Sequence, residues 1–281
     1  MSALLDIRQL TVTVPGETED VTILHDVSVT VHPGECVALV GESGSGKSMT
    51  ARSVLGVLPR NAEVTGQVLL DQQDILLLER KDLKRVRQRA VSMIYQDPRA
   101  SINPTQRIGD FIVESVTVSK QMTRRHARHR AVELLRSVHL DNAEQLWSRY
   151  PHELSGGMLQ RVMIVAALIN SPSLMLCDEP TTALDVTNQA EVVAILTDLQ
   201  RSVGLGMLFI THDIDLAAAI ATRVYVMRQG RIVESGDAAT ILSSPTQRYT
   251  RALLEARPRI DGPAERLRTI DEALRGTADA P

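Results

Sequence analysis

The sequence predicts an α/β fold with a mainly parallel core sheet, an N-terminal antiparallel β subdomain and a helical insert. Three observations carry this reading. Continuous apolar runs recur at CVALV (36–40), VSMIY (91–95), SLMLC (173–177) and GMLFIT (206–211), as expected of strands buried on both faces of a parallel sheet. Apolar helical stretches lie between the later runs, an alternation that covers such a sheet on both sides. Residues 4–14 and 23–31 instead alternate apolar and polar side chains around the turn-forming PGETED, the pattern of an antiparallel pair.

Taken in order, CVALV runs into GESGSGKS and then into a helical stretch expected to end near Pro59. From about 106 to 150 the pattern becomes polar, Arg-rich and helix-periodic without strands, hence the insert. RVYVM (223–227) is a further strand, and MRQGRIVES reads as a hairpin turning at Gln229-Gly230. Beyond Pro258 little is apolar, so residues 258–281 are expected to form a loosely ordered tail after a domain spanning 1–257. No internal repeat is evident.

Composition excludes several classes. The 281 residues are 43% hydrophobic and 23% charged, enough chain to bury a sizeable core. A net charge of −3 argues against a general nucleic-acid coat, because phosphate binding needs a basic excess. One Trp, four Tyr and two Phe leave no platform for stacking bases, and none of them precedes Tyr95. Cys36 and Cys177 sit inside apolar runs and read as inert core thiols in a reducing compartment. No signal peptide is evident, and the longest apolar run, VMIVAALI (162–169), is far short of the roughly 20 residues of a membrane span. The basic stretches RKDLKRVRQR (80–89) and TRRHARHR (123–130) lack aromatics and read as solvated helix faces. Arginines crowd His126 and His129, which disfavours a metal ion there.

The chemistry concentrates in a few places. Gly41 to Ser48 fit G-x-x-x-x-G-K-S/T between a buried strand and a helix, the context that makes this a phosphate cradle rather than a linker. Gly41, Gly44 and Gly46 let backbone amides curl around a phosphate, and the helix N-terminus adds its dipole. The cradle also takes in Ser43, Ser45 and Met49, with Lys47 expected on the β- and γ-phosphates and the Ser48 hydroxyl on Mg²⁺. Asp178 and Glu179 end an apolar strand, so one carboxylate can serve Mg²⁺ while its neighbour polarises an attacking water. His212 ends another apolar run and is placed to donate a hydrogen bond to developing charge on a γ-phosphate.

LSGGMLQ (154–160) precedes a helical stretch and offers a second anion-binding helix start, more than one nucleotide in one chain needs. This segment resembles the signature motif of ABC-transporter ATPases. In the same order YQDP resembles the Q-loop (Gln96), LMLCDEP the Walker B strand, TTALD the D-loop (Asp185) and THD the switch-histidine loop, over roughly residues 4–257. The resemblance implies a P-loop ATPase whose helical subdomain covers about 100–165. It implies ATP and Mg²⁺ as ligands, Gln96 sensing metal and water, and a head-to-tail pair in which Ser155 and Gly157 act in trans on the partner's nucleotide. It further implies two membrane permease subunits, a second ATPase subunit and an extracytoplasmic solute-binding protein. The chain would then lie peripherally at the cytoplasmic face, with no role on nucleic acid.

QDPRASINP and SSPTQRYTRALLEARPR resemble segments of the dipeptide, oligopeptide and nickel importer ATPases, here without the usual His-Pro before Tyr249. Met158 stands where the signature usually has Gln, so side-chain contact from that position to the ribose is lost. Where ABC ATPases commonly stack an aromatic on adenine, this sequence has Val14, which implies apolar contact alone and loose base selectivity. The alternative class is a soluble ABC ATPase of DNA repair or translation. The stretch between Lys47 and Ser155 holds no long coiled coil, and one motif set is present rather than two, which favours the transport reading.

Overall fold

Two sheets and a cluster of helices organise the computed structural model, which describes residues 2–182 and 184–256. In chain order the strands are β1 (Leu5–Val14), β2 (Val21–Val31), β3 (Cys36–Val40), β4 (Glu63–Leu70), β5 (Gln73–Asp74), β6 (Val91–Ile94), β7 (Leu174–Asp178), β8 (Gly206–Thr211), β9 (Arg223–Arg228) and β10 (Arg231–Asp237). The helices are α1 (Lys47–Val54), α2 (Arg80–Arg89), α3 (Pro98–Ser101), α4 (Ile108–Val118), α5 (Arg124–Ser137), α6 (Ala143–Leu146), α7 (Gly156–Leu168), α8 (Val186–Val203), α9 (Ile214–Ile220), α10 (Ala238–Ser243) and α11 (Arg248–Glu255). The tail expected over 258–281 lies outside the described residues.

Among the described residues the larger sheet has the order β10-β9-β3-β8-β7-β6. All its pairings are parallel except β9 with the edge strand β10. Every residue of β3, β7 and β8 is buried, which is why their sequences run apolar without alternation. Alternate side chains nevertheless part company. Val37, Leu39, Leu174, Leu176, Leu208 and Ile210 join one core with the N-terminal sheet and α1. Cys36, Ala38, Met175, Cys177, Met207 and Phe209 join the other, with the helical insert. Each fully buried Val, Leu, Ile, Met or Phe among them contributes about 1.5–3 kcal/mol. Both thiols are free, and burial pushes Cys36 up to about 12 and Cys177 well above the ordinary thiol value.

The smaller sheet, β2-β1-β4-β5, is antiparallel throughout. Its strand β4 lies outside the predicted elements, and its burial is patchy enough to explain that. The helix after the glycine-rich loop ends at Val54 rather than near Pro59. Gly56 is left-handed (φ 60), its amide bonds Ser53 O at 2.9 Å, and the Val57 amide returns to Arg52 O at 2.9 Å, a Schellman stop one turn before the proline. The strand expected over 91–95 stops at Ile94, leaving Tyr95 exposed. The β9–β10 turn at Gln229 (φ 47) and Gly230 (φ 76) is the hairpin read from the sequence.

Helices α3 to α6 fill the stretch between β6 and α7, and α7, buried on most sides, joins them to the sheet. Several arginines of the two basic stretches are used within the fold. Arg87 donates to Leu55 O at 2.7 Å, Arg130 to Ile169 O at 3.1 Å, and Arg128 pairs with Glu144 while lying 5.1 Å from the Trp147 ring centroid. At the start of α4, the Gly109 amide donates to Trp147 O at 3.0 Å, and a Cβ on Gly109 would stand 2.2 Å from the indole. Gly109→Ala therefore forces the indole aside and destabilises the fold by about 1–3 kcal/mol. Urea unfolding followed by the emission of Trp147, the one tryptophan in the sequence, measures this loss directly; an unchanged midpoint would contradict the contact.

Candidate active site

Four neighbouring parallel strands deliver the site at one edge of the sheet. The glycine-rich loop leaves β3, His212 follows β8, Asp178 and Glu179 close β7, and Gln96 follows β6. Ligand sites in open α/β sheets lie at this carboxyl edge.

The loop from Gly41 to Gly46 enters α1 at Lys47 and Ser48. Gly46 has φ 108, and a Cβ there would stand 2.8 Å from Leu24 Cδ2 and 2.9 Å from Met227 Cε, so glycine is required for the loop to close on β2 and β9. The buried Ser45 donates its amide to Glu42 O at 3.2 Å and accepts the Gly230 amide at 2.9 Å. Lys47, 4% exposed, folds back so that Nζ donates to Gly41 O and Glu42 O at 2.8 Å each and stands 3.9 Å from Glu179 Oε1. Burial lowers the pKa of this ammonium, against the opposing pull of Glu179, Asp178 and Glu42.

An open cavity of about 220 Å³ lies over the loop. It is lined by Ser43, Gly44 and Gly46, by Lys47, Ser48 and Met49 at the start of α1, and by Ile23, Gln96 and Glu179. On its floor Ser48 Oγ donates to Asp178 Oδ1 at 2.8 Å. Burial raises the Asp178 carboxyl above its usual range, while the Ser48 hydrogen bond works the other way.

Glu179 leaves the strand in a left-handed conformation (φ 47) with its amide still bonded to Ile210 O at 2.9 Å. Such a conformation costs about 1–3 kcal/mol and persists only where the surroundings over-determine it. Here they do. Oε2 accepts Gln96 Nε2 at 3.0 Å and Thr182 Oγ1 at 3.0 Å, and His212 Nδ1 stands 3.4 Å away. One carboxylate is thereby held by three elements and aimed at the cavity, while its neighbour Asp178 faces Ser48.

The remaining candidates lie elsewhere. Ser155 caps α7, its Oγ accepting the Met158 amide at 3.3 Å, and Gly157 packs on α8, where a Cβ would stand 2.3 Å from Asn188 Oδ1. Asp185 holds that asparagine through its amide at 2.9 Å and its Nδ2 at 2.7 Å. Those hydrogen bonds, together with others from the same helix start, keep the Asp185 carboxyl below its ordinary value. Neither Ser155 nor Gly157 lines the cavity. Val14 is half-buried opposite Val21 at the turn end of the β1–β2 hairpin and does not line it either; Ile23, two residues further along β2, does. Ile23 and Thr182 are absent from the residues singled out in the sequence. Thr182 could have been found from its place one turn after Glu179, whereas Ile23 has no local signal.

Residues 24–182 match the family model described as ABC transporter. The chain belongs to that family. Its chemistry is ATP hydrolysis coupled to transport, on a fold that binds ATP. The C-terminal residues 233–281 of this ABC ATPase match a second model, the oligopeptide/dipeptide transporter C-terminal region. The oligopeptide transport ATP-binding protein OppD of Escherichia coli is 40% identical over 268 residues, 95% of this chain and 80% of OppD. The peptidoglycan transport ATP-binding protein YejF of Agrobacterium fabrum is 46% identical over 263 residues, 92% of this chain and 48% of YejF. The dimeric structure of MJ0796, a bacterial ABC transporter cassette, superposes with a TM-score of 0.74 at 26% identity, covering 83% of this chain and 98% of that one. These likenesses to transport ATPases do not favour the repair or translation alternative.

Proposed function

We propose that the chain energises an importer of peptides or related small solutes as one half of a head-to-tail ATPase pair. The observation that carries this reading is the placement of Ser155 and Gly157 at a helix start away from the chain's own phosphate loop, a second cradle without a phosphate in the same chain. Paired head to tail, each such helix start would meet the nucleotide on the partner's loop.

The chemistry follows from the site. Lys47, held in place by its two loop carbonyls, would turn its ammonium to β- and γ-phosphate oxygens. The hydroxyl of Ser48 and the carboxylate of Asp178, already joined at 2.8 Å, form a hard-oxygen set that suits Mg²⁺, with Gln96 close by. Bound there, the ion would neutralise charge on the phosphates. Glu179 Oε would take the proton of the attacking water, with Gln96 and Thr182 holding the carboxylate in line. His212 would donate to the charge that develops on the γ-phosphate. Adenine would rest on the apolar side chains Val14 and Ile23.

Among the described residues no helix is long and apolar enough to cross a membrane. The solute path would therefore belong to two permease subunits, with a solute-binding protein outside the membrane and this chain on the cytoplasmic face. The second ATPase subunit would be identical or related, and nucleic acid would take no part. Reconstitution of the chain with co-purified permeases in liposomes tests the reading. ATPase activity should rise on adding the solute-binding protein, and GTP should compete with ATP. Failure of any membrane subunit to co-purify overturns the transport assignment, whereas strict ATP preference overturns only the Val14 contact.

A further inference from the structure

Helix α11, far along the chain from the phosphate loop, touches it. Tyr249 in the first turn of α11 is 4% exposed. Its phenol oxygen accepts the Glu42 amide hydrogen at 3.3 Å, and the same hydroxyl also meets the Glu42 side chain. Glu42 follows Gly41 in the loop, and its carbonyl is one of the two that hold Lys47 Nζ at 2.8 Å. One phenol therefore sits a single peptide from an anchor of the phosphate-binding lysine.

The ring is itself pinned. Arg228, at the end of β9, lies 4.9 Å from its centroid. Glu234 of β10 accepts from the Thr246 amide at 2.6 Å, from Thr246 Oγ1 at 2.8 Å and from the Gln247 amide at 3.2 Å, which fixes the start of α11 to the hairpin. The turn of that same hairpin supplies the Gly230 amide to Ser45 O at 2.9 Å. The C-terminal segment and the hairpin thus brace one loop from two sides.

We propose that Tyr249 is a positioning residue for nucleotide binding: it holds the Glu42 peptide and through it the entrance of the phosphate cradle. The proposal rests on Gly41–Ser48 being that cradle. A loop of glycines and serines loses conformational freedom when it closes on phosphate, and a peptide already fixed by a buried phenol has less to lose. The low exposure of the ring strengthens the hydrogen bond it accepts. The YTRALL segment, which the hydrolytic chemistry leaves unused, thereby acquires a role in gripping the nucleotide.

Tyr249→Phe in the full chain removes the hydroxyl and keeps the ring, its packing and the Arg228 contact. Titration with ATP and with ADP should show both Kd values raised about three- to tenfold, the size of one lost hydrogen bond. At saturating ATP, kcat should stay within about twofold, since no group at the γ-phosphate changes. The thermal midpoint should stay within about 2 °C. Amide hydrogens of the loop should exchange faster in the variant, and in a Lys47→Ala background the same substitution should change Kd less. Unchanged nucleotide affinity, with or without a fall in thermal midpoint, overturns the proposal, as does an equal effect in both backgrounds. If Lys47→Ala alone binds ATP as the parent does, the cradle assignment fails, and this proposal with it.

Discussion

Glu179→Gln lowers kcat by about 10²–10⁴-fold, the contribution of a general base, and leaves ATP affinity within about threefold of the parent. An amide of nearly the same shape still accepts hydrogen bonds from Gln96 and Thr182, so the left-handed turn after β7 should survive. What disappears is the ability to take a proton from water. Asp178 cannot stand in for it, because its Oδ1 is engaged by Ser48 at 2.8 Å on the other side of the strand. Phosphate release in a single turnover, measured beside a nucleotide titration, separates the two effects. Hydrolysis at the parental rate would remove Glu179 from the role of base.

Lys47→Ala weakens ATP binding about ten- to hundredfold, as expected for losing a charge-assisted contact to phosphate. The loss has two parts. The ammonium no longer reaches the phosphates, and the carbonyls of Gly41 and Glu42 lose the donor that holds them at 2.8 Å. Lys47→Arg should not rescue binding, because a guanidinium is a planar fork too wide for a pocket shaped to a lysine only 4% exposed. Calorimetric titration with ATP decides the matter; an unchanged Kd would show that the loop is not the cradle.

The site was legible where local sequence suffices. Strand ends preceded by CVALV, LMLC and MLFIT announce their own burial, and parallel pairing then brings Gly41–Ser48, Asp178, Glu179 and His212 to one edge. Strand β4 was not legible. EVTGQVLL buries only Val68 and Leu70 and owes its state to pairing with β1. In GVLP two stop signals compete, and Gly56 acts before Pro59 because its left-handed turn satisfies the last carbonyls of α1. Ile23 and Tyr249 depend on long-range approach: Tyr249 meets Glu42 across 207 positions of sequence, a contact no pattern within either segment encodes. Thr182 falls between these cases, close in sequence to Glu179 yet informative only once the turn is known.

The two buried cysteines have a practical consequence. They are the only cysteines in the sequence, and both thiols are enclosed in the core with their ionisation suppressed. The surface is thus blank to thiol reagents. A cysteine introduced at Val186, 81% exposed beside Asp185, would be the sole point of attachment for a dye or spin label. Labels placed there would test the proposed head-to-tail pairing as a single measurable distance, free of background from the native thiols.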